Sequence, residues 1–405
     1  MDEINIYKSS LLEYINIIEG TINTFFNQYE NDNNQLYKQV KNEYSTIKQL
    51  RKIVIDASNL DLLKSIKESI INIEKKLTTY IYEYKVSKLS QRELALIKRG
   101  YNVDEVISLN SIDNRQINNI ANDIFKIISR NCKEDKDPIC IYLGGQPGAG
   151  KSSRSMKLKS QKFENDFVEI GIDNYRTYHP NYLEIEKTIR KHWENRIPTN
   201  NDSPGNDIAD FTHNFAGKIT DILTELASKK RYNILFEWGM REPFGPLKTM
   251  QQLHRLGYKN IVDFIAVHKN VSLMACNMRA EIMNNQKHII RKVPEYFHEK
   301  CVESLPESCQ TIYEMGYLND KIIDSFTITT RDKDIIFDAL KQNNPKTVYN
   351  EYLHNPKLSI TQTNDEKFVM EAYQKETEGI NQEIEKMIIE KNSNDEDNNN
   401  KKGIR

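Results

Sequence analysis

The run Gly145-Gln146-Pro147-Gly148-Ala149-Gly150-Lys151-Ser152 fits G-x-x-x-x-G-K-[ST], the phosphate-binding P-loop. Its residue types answer a chemical need. Glycines at 145, 148 and 150 let the backbone take positive φ, so that successive N–H groups point inward at one anion. A helix beginning near Lys151 adds the positive end of its dipole. Lys151 can reach the β- and γ-phosphates of a nucleoside triphosphate such as ATP. The Ser152 hydroxyl, with Ser153 after it, can take a Mg²⁺ site. Residues 139–143 ahead of the loop are apolar and read as a short buried strand, the context the motif requires. The motif implies phosphate binding and leaves the acceptor unnamed.

Further groups that phosphoryl transfer uses follow downstream. After the apolar run 167–172, Asp173 can accept the proton of an attacking hydroxyl, or it can cap the next helix. Arg176 can clamp a substrate phosphate through two parallel hydrogen bonds, or pair with a surface acid. His179 precedes Pro180 and reads as structural, orienting a turn. Glu237 and Arg241 follow the run YNILFEW, and an acid there suits either Mg²⁺ or the substrate hydroxyls. Trp238 reads as packing. Residues 271–294 carry Arg279, Arg291 and Lys292 around a polar centre. Two readings are open for them: a mobile basic lid over the γ-phosphate, or a basic surface helix.

The elements that must position these groups alternate. Strand-like runs at 139–143, 167–172, 232–238, 261–267 and 322–330 are separated by helical stretches such as 215–229 and 246–256. The fold class this implies is α/β, a parallel sheet flanked by helices on both faces. Ligands in such sheets bind beyond the carboxyl ends of the strands, where the groups above stand. Ahead of it, residues 1–95 are all-helical, with Leu11, Ile15, Ile18, Ile22 and Phe25, then Leu63, Ile66, Ile70, Ile73, Leu77 and Tyr80, at three- and four-residue steps. Residues 35–55 carry a weaker stripe, and polar breaks at 31–34 and 56–59 can end one helix and cap the next. A three-helix bundle is expected. Residues 96–137 continue helical, with Ile117, Ile120, Ile124 and Ile127 as the apolar face. One more helical stretch is expected near 366–391, before a tail, NSNDEDNNNKKGIR, too polar to pack and expected to be disordered.

Bulk properties bound the partners. The chain has 405 residues, enough for two or three domains. Lys and Arg total 57 against 58 Asp and Glu, so no global field marks nucleic acid or an anionic membrane as a partner. No apolar run reaches the length of a membrane span, and the start, MDEINIYKSS, lacks the basic-then-apolar order of a signal peptide. Five cysteines without C-x-x-C spacing fit reduced thiols, and a cytoplasmic location is the expectation.

Five segments in order, LGGQPGAGKSS, IDNYRTYHPNY, FTHNFAGK, YNILFEWGMREP and IIRKVPEYFHEK, resemble the zeta toxin family of P-loop kinases. The resemblance covers roughly residues 138–330. It implies a fold like that of nucleotide and shikimate kinases. It also implies ATP- and Mg²⁺-dependent phosphorylation of UDP-N-acetylglucosamine at the 3′-hydroxyl of the amino sugar, and control by a small helical antitoxin, epsilon, that blocks the ATP site. By position it implies Asp173 as catalytic base, Lys151 as the phosphate-binding lysine and Ser152 as the magnesium-binding hydroxyl. Asp221 falls at a substrate-contacting acid, as Asp for a more usual Glu. Glu237 and Arg241 fall at substrate-site positions, and Arg279 and Arg291 at two arginines that close on the γ-phosphate.

Two departures lie on the acceptor side. The family's Gly-Thr after the strand glutamate is Trp238-Gly239 here, and Glu242-Pro243 make the loop more acidic. They keep open another acceptor, a different nucleotide sugar or a dinucleotide. A non-catalytic nucleotide-binding module is the third reading, against which the intact set of Asp173, Arg279 and Arg291 argues. The division expected is a helical bundle at 1–95, a kinase domain at 96–340, and a C-terminal helix with a polar tail at 341–405. By size, helicity and context the bundle is a candidate antitoxin in cis, docking on the kinase; a separate antitoxin, or a dimerisation role for the bundle, is the alternative.

Overall fold

The apolar stripes of the first ninety residues close on one another. In a computed structural model, residues 3–355 are described, apart from positions 30, 31, 33, 163–165, 198–202, 284–292 and 333. Helices α1 (Glu3–Gln28), α2 (Gln35–Asp56) and α3 (Leu60–Ser87) bury Leu11, Ile15, Ile18, Ile22 and Phe25 against Val40, Ile47 and Val54 and against Leu63, Ile66, Ile70, Ile73 and Leu77. The polar breaks act as caps: the Asn34 side chain accepts from Leu36 N, and that of Asn59 from Asp61 N. Two short helices follow, α4 (Gln91–Lys98), opened by a Ser90/Glu93 capping box, and α5 (Val103–Asn110). By its contacts the chain divides into two units, Met1–Ser108 and Leu109–Arg405.

The second unit is a P-loop α/β fold. Its elements in order are α6 (Asn114–Ile128), β1 (Ile139–Gly144), α7 (Lys151–Lys162), β2 (Val168–Ile170), α8 (Tyr182–Trp193), α9 (Pro204–Lys229), β3 (Ile234–Glu237), α10 (Phe244–Arg255), β4 (Lys259–Ala266), α11 (Lys269–Met283), α12 (Glu295–Ile312), β5 (Ser325–Thr330), β6 (Ile335–Asp338) and α13 (Pro345–Leu353). The sheet order is β2-β3-β1-β4-β5-β6. The first five strands are parallel, and β6 is antiparallel to β5.

Strand alternation splits the core between two faces. Cys140 and Tyr142 of β1 join Val168, Ile170, Ile234, Phe236, Val262 and Phe264 under α6, α9, α10 and α12. Ile141 and Leu143 join Leu235 and Phe167 under Leu158 of α7. Arg154 of α7 donates to Thr329 Oγ1 and Thr330 O, both at 2.9 Å, so the helix that opens at the P-loop is fastened to β5 as well. The sheet order adds a fact the motif order hides. The strand beside β1 is β3, tipped by Glu237; β2, which leads to Asp173, lies one strand further out.

His179 ends the 3₁₀ turn Ile172–Tyr178 that follows β2. It is buried, its Nδ1 accepts from Asn181 N at 3.2 Å, and its ring meets Phe215 edge-on at 5.0 Å. Burial pushes its pKa down from 6.5 to about 4. Between those values the unfolded chain binds a proton that the folded chain refuses, so stability falls as pH drops through this window. From pH 7 to pH 5 this amounts to roughly 2 kcal/mol. Urea unfolding at the two pH values is expected to show His179→Gln losing about 2 kcal/mol less than wild type on acidification; parallel losses would mean that His179 does not carry the effect.

All five cysteines are free thiols. Among the described residues no helix is long and apolar enough to cross a membrane. The expected helical stretch at 366–391 and the polar tail lie outside the described residues.

Candidate active site

The glycine loop takes the conformation an anion cradle needs. Gly145, Gly148 and Gly150 have φ of 141°, 77° and 92°. Gly148 is also fixed by space: a Cβ there would lie 2.1 Å from Ser272 O, so the backbone of α11 rests directly on the loop. Lys151 Nζ donates to Gly145 O at 2.8 Å and to Gln146 O at 3.1 Å, which holds the ammonium at the mouth of the loop. Burial pulls its pKa down, Glu237 opposes that, and Arg279 on α11 adds to the fall. Arg279 is therefore near enough to act on the charge at this mouth.

Ser152 Oγ donates to Glu237 Oε2 at 2.8 Å. Of the two places open to Glu237, the fold selects the corner beside Ser152 rather than the acceptor side. The carboxyl is pushed up to about 8, first by burial and then by the Glu169 carboxyl next to it; the Ser152 bond and Lys151 pull the other way. A hydroxyl and a carboxylate at this corner are hard oxygen donors, so the residues present fit a Mg²⁺ ion.

The other expected residues are distributed unevenly. Asp173 stands in the 3₁₀ turn with its side chain 61% exposed, and its Oδ1 accepts from Arg176 Nε at 2.8 Å. Arg176 itself is buried and also donates to Ala209 O at 2.8 Å and Thr212 Oγ1 at 3.2 Å. Of its two readings, pairing with an acid is the one seen: the guanidinium ties α9 to the turn and orients Asp173. Arg241 pairs with Glu242 at 3.4 Å and lies over the Phe297 ring of α12. Trp238 is half-buried against Phe236, as packing. Asp221 is not brought to the cluster. It lines a groove of about 360 Å³ with Asn114, Ile117, Asn118, Lys218 and Ile222, between α6 and the outward side of α9. Two residues from both Ile219 and Leu223, which face the core, it points away from the sheet. Arg291 lies outside the described residues.

Gln146 fastens the loop from within. Its side chain turns into the protein, donating to Val267 O at 2.7 Å and Ser272 Oγ at 3.3 Å and accepting from Tyr349 OH at 3.2 Å. Ser272 in turn meets His298 Nε2 at 2.8 Å. This chain of bonds sets the loop against α11, α12 and α13. Arg331, just after β5, is a site residue that sequence reasoning missed. Its Nη2 donates to Gly148 O at 2.6 Å, and its side chain lies 3.2–3.6 Å from where a Cβ on Gly150 would be. The only signal for it is its position at a strand's carboxyl end.

A glycine loop that opens a helix at the carboxyl end of a central parallel strand is the architecture of the P-loop kinases. The zeta toxin family model matches residues 124–343, and the chain belongs to the zeta toxin family. Toxin PezT of Streptococcus pneumoniae serotype 4 is 31% identical over 219 residues, spanning 53% of this chain and 77% of that protein. Toxin zeta of Streptococcus pyogenes is 26% identical over 210 residues, spanning 51% and 67%. A solved chain from the PezAT chromosomal toxin–antitoxin system of Streptococcus pneumoniae is 24% identical over 68% of this chain and 99% of its own, with a TM-score of 0.49. Membership of the family supports a kinase-type phosphotransferase of the toxin class.

Proposed function

We propose that this chain transfers the γ-phosphoryl group of ATP to a sugar hydroxyl of a nucleotide sugar, with the 3′-hydroxyl of UDP-N-acetylglucosamine as the first acceptor to test. The observation that carries this is the joined cluster of Lys151 in the loop mouth, Ser152 on Glu237, and Arg279 bearing on Lys151. Positive charge where a phosphoryl group departs, fixed before substrate arrives, is what this reaction asks of a protein.

In this reading the loop amides and Lys151 bind the β- and γ-phosphates. Ser152 and Glu237 would hold Mg²⁺, which would supply positive charge against that of the phosphates. Asp173, held by Arg176, takes the proton of the acceptor hydroxyl. Arg279 covers the transferred group from α11, and Arg291 follows it in the chain as a second closing cation. Arg241 and the Trp238-Gly239 loop line the acceptor side. Because a tryptophan stands there in place of a small residue and a hydroxyl, a different nucleotide sugar or a dinucleotide is the second reading. Purified full-length protein with labelled ATP, Mg²⁺ and a panel of nucleotide sugars separates them. One added phosphate on UDP-N-acetylglucosamine supports the first reading, and on another panel member the second. ATP binding with transfer to none of them rejects both.

An antitoxin-like restraint in cis belongs to the same reading. The bundle α1–α3 has its own buried core and is joined to the kinase unit on one chain. Linkage raises its effective concentration at the kinase to roughly the millimolar range, so weak docking suffices to inhibit. Deleting residues 1–89 is expected to raise turnover at least tenfold and to arrest growth of an expressing host. Turnover unchanged from full length would leave the bundle a different role, and a separate antitoxin as the partner.

A further inference from the structure

One face of α11 is turned to the glycine loop. Ser272, Cys276 and Arg279 stand at i, i+4 and i+7, so they share one stripe of that helix. Each bears on the loop. Ser272 O and Cys276 Sγ lie 2.1 and 3.0 Å from where a Cβ on Gly148 would be, and Arg279 acts on the charge of Lys151. The helix therefore runs along the loop, from Gly148 towards Lys151.

Its first turn is anchored by side chains that are all buried: Gln146 of the loop, Ser272 of α11 and His298 of α12. The Gln146 amide gives its protons to Val267 O at 2.7 Å and to Ser272 Oγ at 3.3 Å. The Ser272 hydroxyl gives its single proton to Lys269 O at 3.0 Å. His298 Nε2, 2.8 Å away, is then the donor in its contact with Ser272 Oγ. Burial pulls the imidazole pKa down to about 4, which keeps the ring neutral with one N–H at neutral pH. Ser272 Oγ thus accepts from the loop and from α12 at once. Removing one partner leaves the others buried and short of a bond, so the three hold or fail together.

A helix is stiff, so its anchor sets what lies two turns on. Arg279 is about 10.5 Å along the axis from Ser272. A tilt of about 5° at Ser272 moves the Arg279 backbone by about 1 Å. A misplacement of about 1 Å in a group that meets a reacting phosphate costs on the order of a hundredfold.

We propose that Ser272 and His298 are positioning residues for the γ-phosphate: their hydrogen bond, shared with Gln146, sets the height of α11 over the loop and so places Arg279. The inference rests on the phosphoryl-transfer reading and names what aligns its closing cation. A link that merely supported the loop would, when cut, weaken ADP and ATP alike. A link that acts through Arg279 weakens the hold on the γ-phosphate alone.

Full-length protein is titrated with fluorescent ADP and with a fluorescent non-hydrolysable ATP analogue in excess Mg²⁺. The ratio of the two affinities reads the γ-phosphate without any acceptor. Wild type is expected to favour the ATP analogue at least tenfold, and Arg279→Ala to lose most of that preference. Ser272→Ala removes one hydroxyl and leaves no large void. It is expected to cut the ratio at least fivefold while ADP affinity stays within threefold. His298→Leu is expected to do the same, and His298→Gln, which keeps an N–H donor, to retain the ratio. In the Arg279→Ala background, Ser272→Ala is expected to change the ratio less than twofold, because the group it positions is gone. The proposal is overturned if Ser272→Ala or His298→Leu keeps the wild-type ratio, or lowers ADP affinity as much as that of the ATP analogue. It is also overturned if His298→Gln does no better than His298→Leu, or if Ser272→Ala acts as strongly without Arg279 as with it. Wild type that binds ADP as tightly as the ATP analogue overturns the proposal and leaves the nucleotide reading standing. Wild type that binds neither strikes that reading and takes the proposal with it.

Discussion

Lys151→Ala is expected to lower turnover by roughly 10³-fold or more while the protein stays folded. The ammonium sits at the mouth of the glycine loop, on Gly145 O and Gln146 O. Removing it withdraws positive charge from the atoms that gain negative charge as the phosphoryl group departs. Glu237 also loses an opposing charge, so its already raised pKa rises further, which weakens the same corner for Mg²⁺. Stability moves little, because burial already penalises the ammonium and its loss removes that penalty together with two hydrogen bonds. Lys151→Arg is expected to fare no better, since a planar fork cannot replace a point charge between two carbonyls. Steady-state phosphorylation with a thermal melt checks both: retained turnover within tenfold of wild type in a folded Lys151→Ala protein would remove Lys151 from the chemistry.

What the sequence made legible follows from which signals are local. The P-loop was readable because the glycines, lysine and serine are contiguous, and its strand and helix follow from them. The five parallel strands were readable as apolar runs, and the bundle from its stripes. β6 is only four residues long, too short for alternation to register, and α13 declares itself through Tyr349, whose burial against Phe264 belongs to tertiary packing. Arg331 and the inward turn of Gln146 are long-range effects: each contact spans more than a hundred residues of chain. The Glu169–Glu237 pair depends on the β2–β3 register, which no single segment encodes. Asp221 shows the limit of motif order. Its position in the order of motifs is right, but the helix face it occupies is set by Ile219 and Leu223, which turn it outward.

Asp173→Asn is expected to lower kcat by about 10²–10⁴-fold with KM for ATP unchanged within threefold. The sheet order supplies the geometric reason. Strands lie about 4.8 Å apart, so the tip of β2 is roughly 10 Å from β1, with β3 between them. On the proposed reading, an acceptor hydroxyl in line with a phosphoryl group held over β1 would lie above β3, between the glycine loop and Asp173. Glu237, nearer the loop, is occupied with Ser152, which on the proposed reading leaves Asp173 as the carboxylate for the acceptor. The Arg176 bond orients its side chain without burying it. Asparagine preserves the acceptor oxygen for Arg176 Nε, so the turn and α9 stay in place and only basicity is lost. Arg176→Ala makes the contrast. It strips partners from Ala209 O and Thr212 as well as Asp173, so it is expected to lower Tm by several degrees along with kcat. A base also leaves a mark in the pH profile: the acidic limb of kcat in wild type, set by the Asp173 carboxylate, is expected to vanish in the asparagine variant. Near-native kcat in Asp173→Asn with that limb intact would mean that the acceptor hydroxyl loses its proton elsewhere.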